Sequence, residues 1–436
     1  DKAELAVREA IHINPNFALA FSNLGNILRD VGKLEESELY TRKAIELNPS
    51  LAMAHNNLST LLKELGKSKE AEASAREALK CNPSFAMAYS NLGAILKDIG
   101  KFEEAEIHMR KAIEIKPDFA EAHNNLSHML LLCKKFNEGW KENQWRWGGI
   151  KRKASIGKKL KTSRPEWQTG EKGCVLLWAE QGLGDELLFL TLVPDFIEQV
   201  DKLIIKMDNR LIPLLNRTFG DKIKCIDRNE FIDESEYDFH ISMGSLPRYL
   251  RPSLNSFETA KKLKLEVDKE RSNQLREKLK NSSFDKIVGI SWKSSSKINS
   301  NKSLPLEEFI LGIYSPKIRF VCLQYGEVRE EINYIREKHG IEICEVDEID
   351  KFNDIDGLAA LIAACDEIVS VGNVTVHLSG VIGVSGKILV PTNNFFYLGL
   401  NNIASYWYPT LKLFRQNKFG EWTDKLKDIK NEIKLN

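Results

Sequence analysis

Three short segments carry the residue types that bind and move charged groups. The first is Glu180-Gln181-Gly182-Leu183-Gly184-Asp185-Glu186. Gly182 and Gly184 permit a tight turn into a helix whose leading N–H groups favour an anion. The pattern is not GxGxxG, and no P-loop lysine follows it. Asp185 falls at or near the helix start. There it serves either as an N-cap or as a general base that takes a proton from an acceptor hydroxyl. The second segment is Gly289-Ile290-Ser291-Trp292-Lys293-Ser294-Ser295-Ser296-Lys297, followed by Lys302-Ser303-Leu304. Lysine is a point-charge phosphate binder and serine adds directed donors, so Lys293, Ser294 and Lys302 suit a diphosphate. The alternative is an ordinary polar loop. The third segment runs from Ser370 through Gly372, Asn373, Val374, Thr375, Val376 and His377 to Gly380. Free N–H groups at 374–376, with the Thr375 hydroxyl, make an anion site at a helix start near Val374. His377 either donates to a phosphate or is a satisfied core histidine. Gln324, in Leu323-Gln324-Tyr325-Gly326, ends another apolar run and is placed to edge a nucleotide base.

These loops need strands before them. Short apolar runs occur at 174–179, 203–207, 223–226 and 238–242. After a helical stretch near 256–280 they resume at 287–291, 319–323, 341–344, 367–371 and 387–391. Strands alternating with amphipathic helices predict parallel sheets covered on both faces. Two such sets predict two Rossmann-like lobes, 165–270 and 271–436. Ligands in such folds bind outside the carboxyl ends of the strands, where the three segments lie.

The first third of the chain is periodic. Pro15, Pro49, Pro83 and Pro117 are spaced by 34 residues. Leu24, Leu58, Leu92 and Leu126 keep the step, as do Ala10, Ala44, Ala78 and Ala112. Gly32, Gly66 and Gly100 mark a turn in each unit, and each unit reads as two helices. Small residues where helices cross (Gly25, Gly93, Ala71, Ala105) allow close approach. The period and residue types resemble the tetratricopeptide repeat over residues 1–149: a trailing helix (1–15), three full repeats and a divergent fourth. Such arrays are usually binding surfaces, which implies a protein or peptide partner in a groove lined by each first helix. Asn23, Asn57, Asn91 and Asn125 form one column. They either brace neighbouring repeats through backbone hydrogen bonds or grip an extended peptide. A similar ladder lines the superhelix of O-GlcNAc transferase. The fourth unit decays into Phe136-Asn137-Glu138-Gly139-Trp140 and Trp145-Arg146-Trp147, which read as an interdomain seam. The segment 150–164 holds Lys151, Arg152, Lys153, Lys158, Lys159, Lys161 and Arg164 without an acid, and reads as a basic linker.

The chain has 436 residues, with 63 Lys and Arg against 62 Asp and Glu. This balance argues against a nucleic-acid partner. At 42% hydrophobic and 29% charged, the composition excludes wholesale disorder. No apolar run approaches the ~18 residues of a membrane span. The seven cysteines are scattered without a CxxC pair, which suits a reducing cytoplasm. Among the eight histidines only His123 and His128 are close, five apart and off a shared helical face, so no metal site is expected. The chain begins at Asp1 rather than Met, which leaves a preceding segment open.

The order WAEQGLGDELLF, ISWKS…NKSLPL, VCLQYG, LAALIAACDEIVSVGNVTVHLSGVIG and YWYPTLKLFRQ resembles glycosyltransferase family nine, the heptosyltransferase-like family, over about residues 136–430. It resembles in particular the bacterial members that carry tetratricopeptide repeats in front. The resemblance implies an α-solenoid followed by a GT-B region, and a nucleotide-diphospho-sugar as substrate, bound chiefly to the second lobe, with no cofactor. It implies an inverting, metal-independent transfer to an acceptor hydroxyl, with Asp185 as base. Lys293 and Lys302 are implied to touch phosphates, and Thr375 and His377 fall in the donor loop. One departure stands out: the family pattern at 371–373 is Val-Asp-Thr, and here it is Val371-Gly372-Asn373. An acid is therefore missing near the donor. The stretch Asn393-Asn394-Phe395-Phe396 also differs from the family's aromatic-rich one. These departures motivate a second expectation, a non-catalytic repeat scaffold with a degenerate nucleotide-binding region.

Overall fold

A computed structural model describes residues 2–148, 159–294, 303–392, 403–418 and 420–435. Lys302, the basic residues 151–158 and the stretch 393–396 lie outside them. The chain forms two compact units, Asp1–Leu131 with Lys141–Ile150, and Leu132–Trp140 with Lys151–Asn436.

The repeats are antiparallel helix pairs. The trailing helix α1 (Lys2–Ile13) precedes α2 (Ala18–Asp30) and α3 (Leu34–Leu47), α4 (Ala52–Glu64) and α5 (Ser68–Cys81), and α6 (Ala86–Asp98) and α7 (Phe102–Ile115). The divergent unit supplies α8 (Ala120–Leu132) and α9 (Phe136–Glu142). Each first helix buries the leucines of the repeat columns, and each second helix buries alanines: Leu58, Leu62, Leu92 and Leu96 meet Ala71, Ala75 and Ala105 in one core. The small residues are needed. A Cβ on Gly93 would sit 2.6 Å from Met109 Cγ on the paired helix. The inter-helix turns use left-handed backbone at Gly32, Gly66 and Gly100, with φ of 83°, 75° and 82°. In the divergent unit that place belongs to Lys134, with φ 61°. A Cβ in this region meets the following carbonyl, at a cost of roughly 1–2 kcal/mol.

The second unit contains two separate parallel sheets. Strands β1 (Cys174–Trp178), β2 (Lys202–Met207), β3 (Lys224–Asp227) and β4 (Phe239–Ser242) form the first, in the order β3-β2-β1-β4. Strands β5 (Lys286–Ser291), β6 (Ile318–Cys322), β7 (Ile343–Cys344), β8 (Glu367–Val371), β9 (Gly386–Val390) and β10 (Leu411–Arg415) form the second, in the order β10-β9-β8-β5-β6-β7. Counted within the second sheet, this is 3-2-1-4-5-6, the order of an open doubly wound sheet. The order reverses between β5 and β8, where Ser291 pairs with Ser370, and in the first sheet between β1 and β4. β8 is buried along its whole length, which explains why Glu-Ile-Val-Ser-Val carries so little polarity. Its one acid, Glu367, pairs with Lys387 on β9 and with Lys286 Nζ at 2.6 Å.

The junction aromatics divide between the units. Phe136 and Trp140 belong to the second, where Phe136 packs 4.9 Å from Phe257 and Trp140 Nε1 donates to Arg251 O at 2.9 Å. Trp145 belongs to the first and stacks on His123 at 4.1 Å.

Lys134→Gly is expected to raise unfolding stability by about 1 kcal/mol, and Gly100→Ala to lower it by a similar amount. Urea titration of the two variants against the parent checks the pair.

Candidate functional site

The three charged-group segments sit where the two strand orders reverse. β1 ends at Trp178 and leads through Gly182 into α10 (Leu183–Leu190). β5 ends at Ser291 and runs into Lys293 and Ser294. β8 ends at Val371, and after Gly372 the helix Val374–Ile382 begins. α10 packs against Val374–Ile382. At this contact a Cβ on Gly184 would lie 3.1 Å from His377 Cδ2, so a larger residue would press on the ring. The reversal points of both sheets therefore meet at Gly184 and His377.

Asp185 is not the N-cap of α10. Gly182 holds that position, with extended backbone, and its carbonyl accepts from Asp185 N at 2.9 Å. Asp185 stands in the first turn, its Oδ2 3.8 Å from where a Gly182 Cβ would be. The carboxylate thus leans over the positive end of the helix, which favours its charge. The neighbouring Glu186 is buried and anchors the turn. It accepts from Asp208 N at 2.9 Å and pairs with Arg228. Arg210 donates to Asp208 and holds that carboxyl below its ordinary range. Glu180 is also buried, and its Oε1 accepts from Gly244 N at 3.0 Å, joining the loops after β1 and β4. Sequence reasoning passed over Glu180 and Glu186. The signal for Glu180 was an acid two residues after a buried strand, and for Glu186 an acid in the apolar first turn of α10.

Asn373 caps Val374–Ile382, its Oδ1 accepting from Thr375 N at 3.0 Å. Its Nδ2 donates to Ser291 Oγ at 2.6 Å and to Lys293 O at 3.0 Å. One amide so ties the ends of β5 and β8 and starts the helix. Thr375 is 1% exposed, and its Oγ1 has no hydrogen-bond partner among the described residues. Val376 is buried on the same turn, and Val374 is partly exposed. His377 is buried, its Nδ1 3.1 Å from Tyr408 Oη.

Two expected ligand groups are engaged within the protein. Lys293 Nζ pairs with Glu331, which also accepts from Trp292 Nε1 at 3.2 Å. Gln324 is buried, and its Oε1 accepts from Ser291 Oγ, Trp292 N and Lys293 N at 2.8–3.0 Å. Gln324 shapes the turn after β5. Ser294 N donates to Ser303 Oγ at 3.0 Å.

In the solenoid, the asparagine column braces successive repeats, mainly through side chains rather than the backbone. Asn57 Nδ2 donates to Ser22 Oγ at 3.0 Å, Asn91 Nδ2 to Asn56 Oδ1 at 2.8 Å, and Asn125 Nδ2 to Ser90 Oγ at 3.1 Å. Asn57 also reaches Ser22 O, at 3.4 Å. Asn57 and Asn91 thereby commit both amide protons, Asn91 with a second bond to Thr60 Oγ1 at 3.2 Å, and Asn125 commits one. Asn23, at the head of the column, is exposed.

Profiles of the tetratricopeptide repeat match residues 18–51 and 86–119, and a second such profile matches 40–73. The N-terminal region is a tetratricopeptide-repeat array. Such an array supports a protein-interaction role. Protein FlbA of Caulobacter vibrioides is 29% identical over 267 residues, which span 57% of this chain and 44% of that protein. The matched stretch is longer than the solenoid, so it includes part of the second unit. The chain spans under half the length of this relative. Among solved structures, YrrB, described as a tetratricopeptide protein with an unusual peptide-binding site, is 23% identical, with a TM-score of 0.29, over 34% of this chain and 77% of its own. TTC0263 of Thermus thermophilus is 15% identical, with a TM-score of 0.32, over 35% of this chain and 83% of its own. The first repeat domain of Spaghetti (RPAP3), bound to an HSP90 peptide, is 28% identical, with a TM-score of 0.25, over 26% of this chain and 89% of its own. Among the described residues no helix is long and apolar enough to cross a membrane.

Asn373→Ala removes a cap and leaves buried partners unmet, and is expected to destabilise the protein by about 2 kcal/mol or more. Thr375→Val, which removes only an unpartnered buried hydroxyl, is expected to leave stability unchanged or raise it. Denaturant midpoints of the two variants test this contrast.

Proposed function

We propose that the chain is a glycosyltransferase of the heptosyltransferase-like, GT-B kind, with two Rossmann-like lobes. It moves a sugar from a nucleotide-diphospho-sugar to an acceptor hydroxyl, and its repeats recruit a protein or other large acceptor. The observation that carries this reading is the contact of Gly184 with His377. It brings the Asp185 turn beside a helix start with a buried, unpartnered hydroxyl. The first partner offers a carboxylate, and the second offers donors for an anion.

In this reading Asp185 takes the proton of the acceptor hydroxyl as its oxygen attacks the anomeric carbon. The bond to the donor phosphate breaks with its electron pair, and one displacement inverts the centre. The N–H groups of Val374, Thr375 and Val376 and the Thr375 hydroxyl meet the charge growing on the leaving diphosphate, where fixed donors help most. Lys293 exchanges Glu331 for phosphate, and Lys302 adds a second cation. The scattered thiols favour a cytoplasmic location. No metal or cofactor takes part in this proposal.

The second reading is a scaffold that binds a partner and has lost transfer. It is favoured by Gly372-Asn373 at the place of the family's acid and by the Lys293–Glu331 pair.

Thermal melts with ADP-, GDP-, UDP- and dTDP-sugars separate the two. A donor present at 100 times its dissociation constant stabilises the native state by about 2.7 kcal/mol. One donor class is expected to raise the melting midpoint in the parent and in Asp185→Asn alike, while only the parent transfers sugar. No shift with any donor supports the scaffold, and wild-type turnover by Asp185→Asn removes Asp185 as base.

A further inference from the structure

Among the three full repeats, the 34-residue columns show a departure in the second. In the first repeat Phe21 stacks on Tyr40, with ring centroids 6.1 Å apart. In the third, Tyr89 stacks on His108 at 5.7 Å. The equivalent pair in the second repeat is His55 and Ser74, so one ring is missing. The residue before it shrinks as well: Leu39 and Ile107 in the other repeats correspond to Ala73.

The space left is a cleft of about 440 Å³ whose walls include Ile45 and Glu46 of α3, His55 and Leu58 of α4, and Ser74 and Glu77 of α5. An apolar cavity of about 150 Å³ already holds a benzene ring. Most of these residues come from second helices of repeats, so the cleft is distinct from a groove lined by the first helices. Leu58 is buried at its floor, Ile45 is half-buried, and Glu46 and Glu77 are exposed.

The charge at the mouth changes too. Glu77 stands where the flanking repeats carry Lys43 and Lys111, and Glu46 where the next cleft carries Lys80. Each acid touches a lysine of its own helix, Lys43–Glu46 at 2.8 Å and Lys80–Glu77 at 2.6 Å. Exposed pairs of this kind exchange at little cost. The remaining cation, Arg42, is held by Glu38 at 2.7 Å. The cleft therefore lacks a ring and has gained carboxylates.

We propose that this cleft receives the aromatic side chain of a partner polypeptide, from a segment with a lysine or arginine beside it. The ring takes the place that Tyr40 and His108 fill in the flanking repeats, over Leu58 and against His55. The adjacent cation meets Glu46 and Glu77. The proposal does not depend on the transferase reading, and the test below involves no nucleotide.

The test uses the full chain with labelled Ile and Leu methyls, titrated with the peptide acetyl-Gly-Phe-Arg-Gly-amide and followed by NMR. Methyl signals of Ile45 and Leu58 are expected to move and saturate at about millimolar peptide or below. Replacing Phe by Leu in the peptide is expected to weaken binding by about tenfold, because the stacking contribution is lost. Glu77→Lys is expected to weaken it as well. Ser74→Tyr, which restores the flanking pattern, is expected to abolish binding while the melting midpoint holds or rises. Unmoved Ile45 and Leu58 methyls at the peptide's solubility limit would overturn the proposal. So would equal shifts in Ser74→Tyr, or methyl shifts that follow protein concentration rather than peptide, the mark of a second copy.

Discussion

The candidate site depends on one side chain at the point where β5 and β8 part. Adjacent parallel strands that lead in opposite directions leave backbone groups without ladder partners. Asn373 resolves this with a single amide. Its Nδ2 binds Ser291 Oγ and Lys293 O, and its Oδ1 caps the helix Val374–Ile382. Gln324 completes the turn by accepting from three donors, Ser291 Oγ at the end of β5 and the N–H groups of Trp292 and Lys293 beyond it. With both amides in place, the helix start is fixed in direction, and His377 is carried to Gly184. An acid at Asn373 would lose the donating half of this arrangement. The family pattern has threonine at this position and its acid at Gly372; a single hydroxyl could not make both donations, so the amide at 373 has a structural role of its own.

The solenoid works from a different constraint. Each repeat buries its leucines only by leaning on the next, and the asparagine column and the crossing glycines make that possible. Positions outside those columns vary without breaking the array. The second repeat shows how far this freedom reaches, since Ala73, Ser74 and Glu77 change both volume and charge while α4 and α5 keep their pairing.

Much of the architecture was legible in the residues. Runs such as Lys286–Ser291 and Glu367–Val371 are apolar because both sheet faces are covered, so strand positions followed from composition alone. β10 was missed because Lys412 and Arg415 interrupt the apolar run in Leu411-Lys412-Leu413-Phe414-Arg415, as suits a strand at the sheet edge. The helix start at Val374 followed from Gly372 and Asn373. Partnerships across long sequence separations did not: Glu331 claims Lys293, and the donors after β5 claim Gln324. Nor did the cap of α10, because Gly182 takes by its backbone the role an acid was expected to fill. These choices depend on which loops fold together, and a local reading of residue types does not contain that.

Where a diphosphate binds decides whether this chain works as a transferase. A crystal structure of the protein grown with the nucleoside diphosphate of whichever donor raises its melting temperature tests this most directly. Phosphate density is expected at the N–H groups of Val374, Thr375 and Val376, within hydrogen-bond reach of the Thr375 hydroxyl. Lys293 should have turned from Glu331 towards it. A nucleotide bound elsewhere, with that helix start unchanged, would contradict the account.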